Sequence, residues 1–181
     1  MSRWSRSVVA VGVGVALLGA VGCSPGDSSE GATEGTSGAK PSGEVLAGVD
    51  PCGVLSDAEL KSFGLKTEGE ATNTPPWAPA CQYQGDPVVA SIHKETRDTV
   101  NSAEQKDVWA EFDRTEVNGR TAATAVTGGA TQARLCSALF DAGQGMIQIQ
   151  AHEVSSSDSL DECAKALEIA EKVEPNVPEP A

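Results

Sequence analysis

Two histidines are the first side chains in this sequence whose type could support metal binding or catalysis. His93 and His152 each fall in a segment that alternates between apolar and polar residues, as a half-buried strand does. If the two strands are neighbours, both imidazoles share one sheet face and could form a site with Glu95 or Glu153. The alternative is a solvated face of a one-sided sheet. Two histidines without a third well-spaced ligand give little support for a zinc site.

A serine and a lysine form the second candidate constellation. Ser91 and Lys94 match the S-x-x-K pattern, which needs the serine at the start of a helix so that the lysine, one turn on, points at it. The alternation around them predicts a strand instead, which places the two side chains on opposite faces. The sequence has no glycine-rich phosphate loop and no H-E-x-x-H pattern. We therefore predict no catalytic residues, no metal, no cofactor and no enzymatic activity.

Trp77 is a third candidate, for binding rather than catalysis. It lies in the proline-rich run 74–79, close to Cys81. A tryptophan on such a loop could contact a partner protein or a ring-bearing ligand. It could equally fold as a lid over a small core. Trp77, His93 and His152 are the predicted ligand or partner contacts.

The elements that must position these residues predict an α+β domain. Ser56 and Glu59 form a capping-box pattern that opens a short helix, which ends at Gly64. Asn118-Gly119 predicts a tight hairpin between strands. Further periodicity predicts a strand over 88–93, a helix over 102–112, a hairpin of strands 135–140 and 146–152, and a last helix from Ser157 or Asp158 to Val173. This order predicts an antiparallel sheet with helices packed on one face.

Four cysteines fall within this domain and can pair in three ways: Cys52, Cys81, Cys136 and Cys163. Pairing Cys52 with Cys81 and Cys136 with Cys163 closes two loops of similar length and keeps early elements with early ones and late with late. We prefer that connectivity. A four-cysteine zinc site is disfavoured because the spacings are wide and no C-x-x-C pair exists.

A fifth cysteine, Cys23, follows an export signal. Arg3 and Arg6 precede an apolar run of 14 residues from Val8 to Val21, which is too short for a membrane span of about 20 residues. The run 18–24 resembles the lipobox of bacterial lipoproteins, although Ala20 stands where leucine is usual. The resemblance implies that residues 1–22 are removed after Gly22 and that Cys23 carries the lipid. The alternatives are a retained transmembrane anchor and a thiol at a soluble cleavage site.

Composition divides the rest of the chain. Residues 23–48 are rich in Gly, Ser and Glu and predict a disordered tether; 49–174 form the domain; and 175–181 predict a disordered proline-rich tail. The 181 residues carry 13 basic and 26 acidic groups, a net charge of −13. Loss of Arg3 and Arg6 leaves 11 basic groups and a net charge of −15. Such a chain is not expected to bind nucleic acid, and only a lipid would hold it on an anionic membrane.

The domain is similar to a known family of lipoproteins. The opening Asp50-Pro51-Cys52-Gly53-Val54-Leu55-Ser56, followed by Glu59-Leu60 and Gly64-Leu65, resembles actinobacterial domain-of-unknown-function family 3558. Looser matches are Cys81-Gln82-Tyr83, with tyrosine where the family has tryptophan, Val117 to Ala122, Cys136, and Cys163 to Leu167. The resemblance implies a secreted, lipid-anchored, disulfide-bonded α+β domain, and no activity carries over from it.

These observations favour a binding or interaction module at the extracytoplasmic face of the cell membrane, anchored through Cys23 and without catalysis. Its partner would be an envelope protein or a ligand. Two alternatives remain open: an envelope carrier of an apolar ligand, and a cell-envelope hydrolase that uses His93 or His152.

Overall fold

Seven antiparallel strands form one sheet in the order β1-β2-β3-β7-β6-β5-β4. The computed structural model describes residues 46–129, 135–154 and 160–181. The strands are β1 (Leu65–Thr72), β2 (Ala80–Gly85), β3 (Val88–Glu95), β4 (Trp109–Val117), β5 (Arg120–Thr127), β6 (Leu135–Ala142) and β7 (Gly145–Glu153). The helices are α1 (Asp57–Ser62), α2 (Val100–Glu104) and α3 (Glu162–Val173). The predicted α+β class and antiparallel sheet are confirmed.

Local sequence signals set two of the predicted boundaries. The Ser56 hydroxyl accepts from the Glu59 amide, and the Glu59 carboxylate accepts from the Ser56 amide at 2.8 Å, which closes the capping box of α1. Asn118 and Gly119 both adopt positive φ, 49° and 87°, as a type I′ turn requires between β4 and β5.

The sheet has two different faces. The first carries most of the core, including Ile92, Phe140 and Ile149, and α1 and α3 pack over it as predicted. The second is covered only in part. Val100 and Ala103 of α2 pack on Ala123, Ala125, Leu139 and Met146 of β5 to β7. Residues on β1, β2 and β3 that point to this second face have no helix over them among the described residues.

Both preferred disulfides are present. Cys52–Cys81 ties the segment before α1 to β2, and Cys136–Cys163 ties β6 to α3. Cys81 and Cys136 are buried, so each disulfide joins the first sheet face to the layer above it.

The prediction of a helix over 102–112 is wrong beyond Glu104. The helix α2 ends there, and β4 begins at Trp109. The register shifts between Trp109 and Glu111, which marks a β-bulge. The extra residue lets Trp109 and Phe112 pack on the same cluster with ring centroids 5.8 Å apart. A bulged strand thus reproduces the three-residue apolar spacing that helices show. The helix α3 begins at Glu162 with Asp161 as its cap, whereas Ser157 and Asp158 lie outside the described residues.

The predicted domain limits also need correction. Leu46 is 2% exposed, and the Lys94 ammonium donates to the carbonyls of Ala47 and Val49 at 2.7 and 2.6 Å, so the folded part includes the end of the predicted tether. The rest of the predicted tether, 23–45, lies outside the described residues.

The prediction that 175–181 is a disordered tail is wrong. Val177 is 1% exposed, and Gly143 exchanges backbone hydrogen bonds with Glu179 and Ala181. Arg120 supplies the reason. Its guanidinium pairs with Glu174 at 2.5 Å and donates to the carbonyls of Glu174, Val177 and Pro178. The prolines of this segment have no N–H group to donate. The carbonyls of Glu174, Val177 and Pro178 instead accept hydrogen bonds from the Arg120 side chain.

Replacing Arg120 by methionine should lower the free energy of unfolding by about 2 kcal/mol, because it leaves Glu174 and three carbonyls without their charged donor. Urea unfolding measures the loss. Arg114→Met is the matched control, since Arg114 pairs with Glu104 at the surface, where solvent screens such pairs and they contribute little. Equal losses in the two variants would contradict the role of Arg120.

Candidate functional site

The uncovered part of the second face contains a cleft of about 370 Å³. Its lining comes from four neighbouring strands: Glu70, Ala71 and Thr72 of β1, Ala80 and Gln82 of β2, Ser91 and His93 of β3, and Gln150 of β7. Within the described ranges, no helix packs over these groups on this face of the sheet. The cleft is therefore open to solvent and floored by strand residues.

The register arranges the lining in two rows that cross the sheet. In the first, which we call the polar row, Glu70, Gln82, Ser91 and Gln150 pair in turn across β1, β2, β3 and β7. In the second, Thr72, Ala80 and His93 pair in turn. Paired residues of adjacent antiparallel strands point to the same side, so strand pairing alone brings these side chains together.

Hydrogen bonds connect members of the polar row. The Gln82 amide donates to the Ser91 hydroxyl at 3.4 Å, and its carbonyl oxygen accepts from Gln84 at 3.1 Å. Gln148, which pairs with His93, donates to the buried Ser137 hydroxyl at 3.0 Å. On this face, amide and hydroxyl side chains thus form hydrogen bonds with one another.

Burial changes the pKa of one residue in the lining, His93. Desolvation lowers its pKa below the ordinary value of 6.5, and a hydrogen bond with the Gln150 side chain partly opposes this. Its Nε2 atom is buried and has no hydrogen-bond partner among the described residues, so the bond to Gln150 is made through Nδ1. The side chain is thus a neutral imidazole with one polar atom unsatisfied.

Since the pKa of His93 is lower in the folded than in the unfolded chain, protonation of this residue opposes folding. Its contribution to stability is complete above a pH of about 6.5 and is lost progressively as pH falls toward the folded-state pKa. We expect His93→Gln to lose less unfolding free energy than wild type between about pH 7 and pH 5. Denaturant unfolding at both pH values measures this.

The matched control is His152→Gln, which removes a histidine from the same sheet face outside the cleft lining. Hydrogen bonds to Ser56 lower the pKa of Glu59, so protonation of this carboxylate at low pH also reduces the free energy of unfolding. All three proteins share this loss. An identical pH dependence in His93→Gln and wild type would contradict the assignment.

The two histidines do not form one site. Their strands are adjacent and both side chains lie on the second face, but His93 pairs with Gln148 and His152 with Val89. Four residues of strand separate them, roughly 14 Å. Glu153 follows His152 directly and points to the opposite face, where it is buried. The hypothesis of a shared His93–His152 site is therefore wrong, and no metal-binding cluster of His, Cys, Asp or Glu occurs among the described residues.

Ser91 and Lys94 lie on opposite faces, as the strand pattern predicts. Ser91 lines the cleft, whereas the Lys94 ammonium donates to carbonyls near the start of the domain. No serine of the described residues is hydrogen-bonded to His93, because its Nε2 has no hydrogen-bond partner and its side-chain hydrogen bond is with Gln150.

Trp77 is 39% exposed rather than buried as a lid. The Arg97 guanidinium stacks over the Trp77 ring at 3.9 Å from the centroid. The backbone carbonyl of Trp77 accepts a hydrogen bond from the Thr96 hydroxyl. Trp77 is outside the cleft lining, although its loop joins Thr72 to Ala80. Of the predicted contacts, the cleft includes only His93. Gly22 and Cys23 lie outside the described residues.

Sequence reasoning missed most of the cleft. Alternation over 146–152 places Gln148, Gln150 and His152 on one face, and this pattern could have predicted that Gln150 lies on the polar face. Nothing comparable indicated β1 and β2. Their lining residues Glu70 and Gln82 become neighbours of Ser91 only through strand pairing.

Fold and cleft define a small, disulfide-bonded α+β domain with one packed sheet face and a second face that α2 covers only in part. The chain belongs to the family described as Protein of unknown function (DUF3558), whose model matches residues 18–176. No curated protein and no solved structure matches it. None of the helices in the described ranges is long and apolar enough to span a membrane.

Proposed function

We propose that this chain is a lipid-anchored binding module at the extracytoplasmic face of an actinobacterial cell membrane, and that the cleft holds its ligand. The observation that carries the proposal is the open cleft: four strands present a hydrogen-bonded polar surface that no described helix covers. Cys23 after the apolar run supplies the anchor. The two disulfides suit an oxidising compartment.

Two other functions receive less support. A carrier of an apolar ligand needs an apolar cavity, whereas six of the eight residues that line this cleft have polar side chains and only two are alanines. A hydrolase needs a nucleophile activated by a base. Ser91 and His93 share the cleft, but the Ser91 hydroxyl accepts from Gln82 and His93 bonds to Gln150. Neither bond activates a serine.

The anchor is tested by the intact mass of the protein extracted from membranes of its host. We expect the mass of residues 23–181 with two disulfides, increased by the mass of one diacylglycerol group on Cys23. Cys23→Ser should remain uncleaved or leave the membrane fraction. A mature chain of unmodified mass would contradict the anchor.

The binding role is tested by hydrogen exchange of the full chain with and without fractionated envelope material from the same host. We expect slower exchange in β1, β2 and β3, three of the four strands that line the cleft, and no change at the hairpin of β4 and β5. Unchanged exchange in β1 to β3 with every fraction would contradict the binding role.

A further inference from the structure

We infer that the cleft takes a neutral, polyhydroxylated ligand, which is the chemistry of a carbohydrate. The inference rests on the proposed function, because it names the ligand class for the same cleft. It depends on the charge, the hydrogen-bonding groups and the shape of the lining.

Charge argues against anionic ligands. Glu70 is the one lining residue that carries a formal charge, since burial keeps His93 neutral. The nearest lysine in sequence, Lys94, points to the other face, where two carbonyls hold its ammonium. Phosphate and carboxylate ligands are normally met by Arg or Lys. Here they would meet a carboxylate within a chain of net charge −13.

The hydrogen-bonding groups suit hydroxyls. Gln150 bonds to His93 and has further amide capacity, and the Ser91 hydroxyl, which accepts from Gln82, can still donate. Glu70 offers acceptors. The polar row therefore offers both donors and acceptors. A sugar hydroxyl both donates and accepts, so a ring that bears several hydroxyls can form hydrogen bonds with the side chains of the polar row. An acyl chain would bury the same side chains without hydrogen-bond partners.

The shape comes from a small residue. Ala80 stands between Thr72 and His93 in the second row, and its short side chain leaves the depression between them. A volume of about 370 Å³ falls in the range of small-molecule sites, about 300–1,000 Å³. This is room for a compact ligand of one or two rings.

The test is an NMR titration of the purified full chain in detergent, with maltose, cellobiose and chitobiose as neutral probes. Glucose 6-phosphate is the anionic control and decanoate the apolar one. We expect at least one neutral saccharide to shift the side-chain amide signals of Gln82 and Gln150. Ala80→Leu fills the cleft without removing a polar group and should weaken that binding by at least about tenfold. His152→Gln, on the same face outside the lining, should bind as wild type does.

Ser91→Val serves as a second cleft variant should Ala80→Leu fail to fold. A saccharide shift that survives both cleft variants would overturn the site. Shifts with glucose 6-phosphate or decanoate alone would overturn the ligand class and leave the binding role intact. If no probe shifts these signals, the inference fails; exchange protection of β1 to β3 by envelope material then decides whether the proposed function fails with it.

Discussion

Gly145→Ala should destabilise the domain by about 3 kcal/mol or more, one of the largest effects of a single methyl group in this chain. A Cβ at Gly145 would lie 2.2 Å from the Glu95 carbonyl oxygen and 3.0 Å from Leu46 Cδ2. The first contact is with the backbone of β3, so the central pair of strands must separate to admit it. Thermal unfolding should show a fall in Tm of about 10 °C.

Gly48→Ala is the matched control, because nothing lies within 4 Å of the added Cβ. It should leave Tm within about 2 °C of wild type. A Gly145→Ala protein as stable as Gly48→Ala would show that β3 and β7 can separate freely at this end. The same experiment reports on the start of the domain, since Leu46 packs against Gly145.

Removing the Cys136–Cys163 disulfide with a double alanine variant should cost about 3–4 kcal/mol, because the closed loop spans 27 residues of the unfolded chain. The Cys52–Cys81 disulfide closes 29 residues, so its double alanine variant should lose as much or slightly more. Urea unfolding under oxidising conditions measures both losses. For a domain of this size, either loss is a large part of the total stability.

The matched control is wild type unfolded in the presence of reductant, which should lose stability at least as great as either variant. A loss below about 1 kcal/mol in both variants would contradict the entropic role of the disulfides. A loss in only one would show that its cysteines contribute through packing rather than loop closure.

Several features follow from sequence because they are local. The capping box at Ser56 and the Asn118-Gly119 turn need only neighbours within four residues. Alternation over 88–93 and 146–152 predicts strands, since a period of two admits no other regular structure. The cysteine pairing was also inferred correctly from spacing.

Predictions failed where a distant contact decides the local structure. The bulge at the start of β4 gives Trp109 and Phe112 a helix-like spacing, and only pairing with β5 shows that the segment is extended. The proline-rich composition of the C terminus is typical of a disordered segment. The segment is ordered by Arg120, more than 50 residues away in sequence.

The sequence by itself determined the α+β class and the hairpins and favoured one of three cysteine pairings, because these depend on period, turn chemistry and loop length. Tertiary structure alone decided the cleft. Glu70, Gln82, Ser91 and Gln150 are distant in the chain and form one row only in the observed strand register. The same register separated His93 from His152 by four residues, since pairing β3 with β7 fixes where each side chain lies along the sheet.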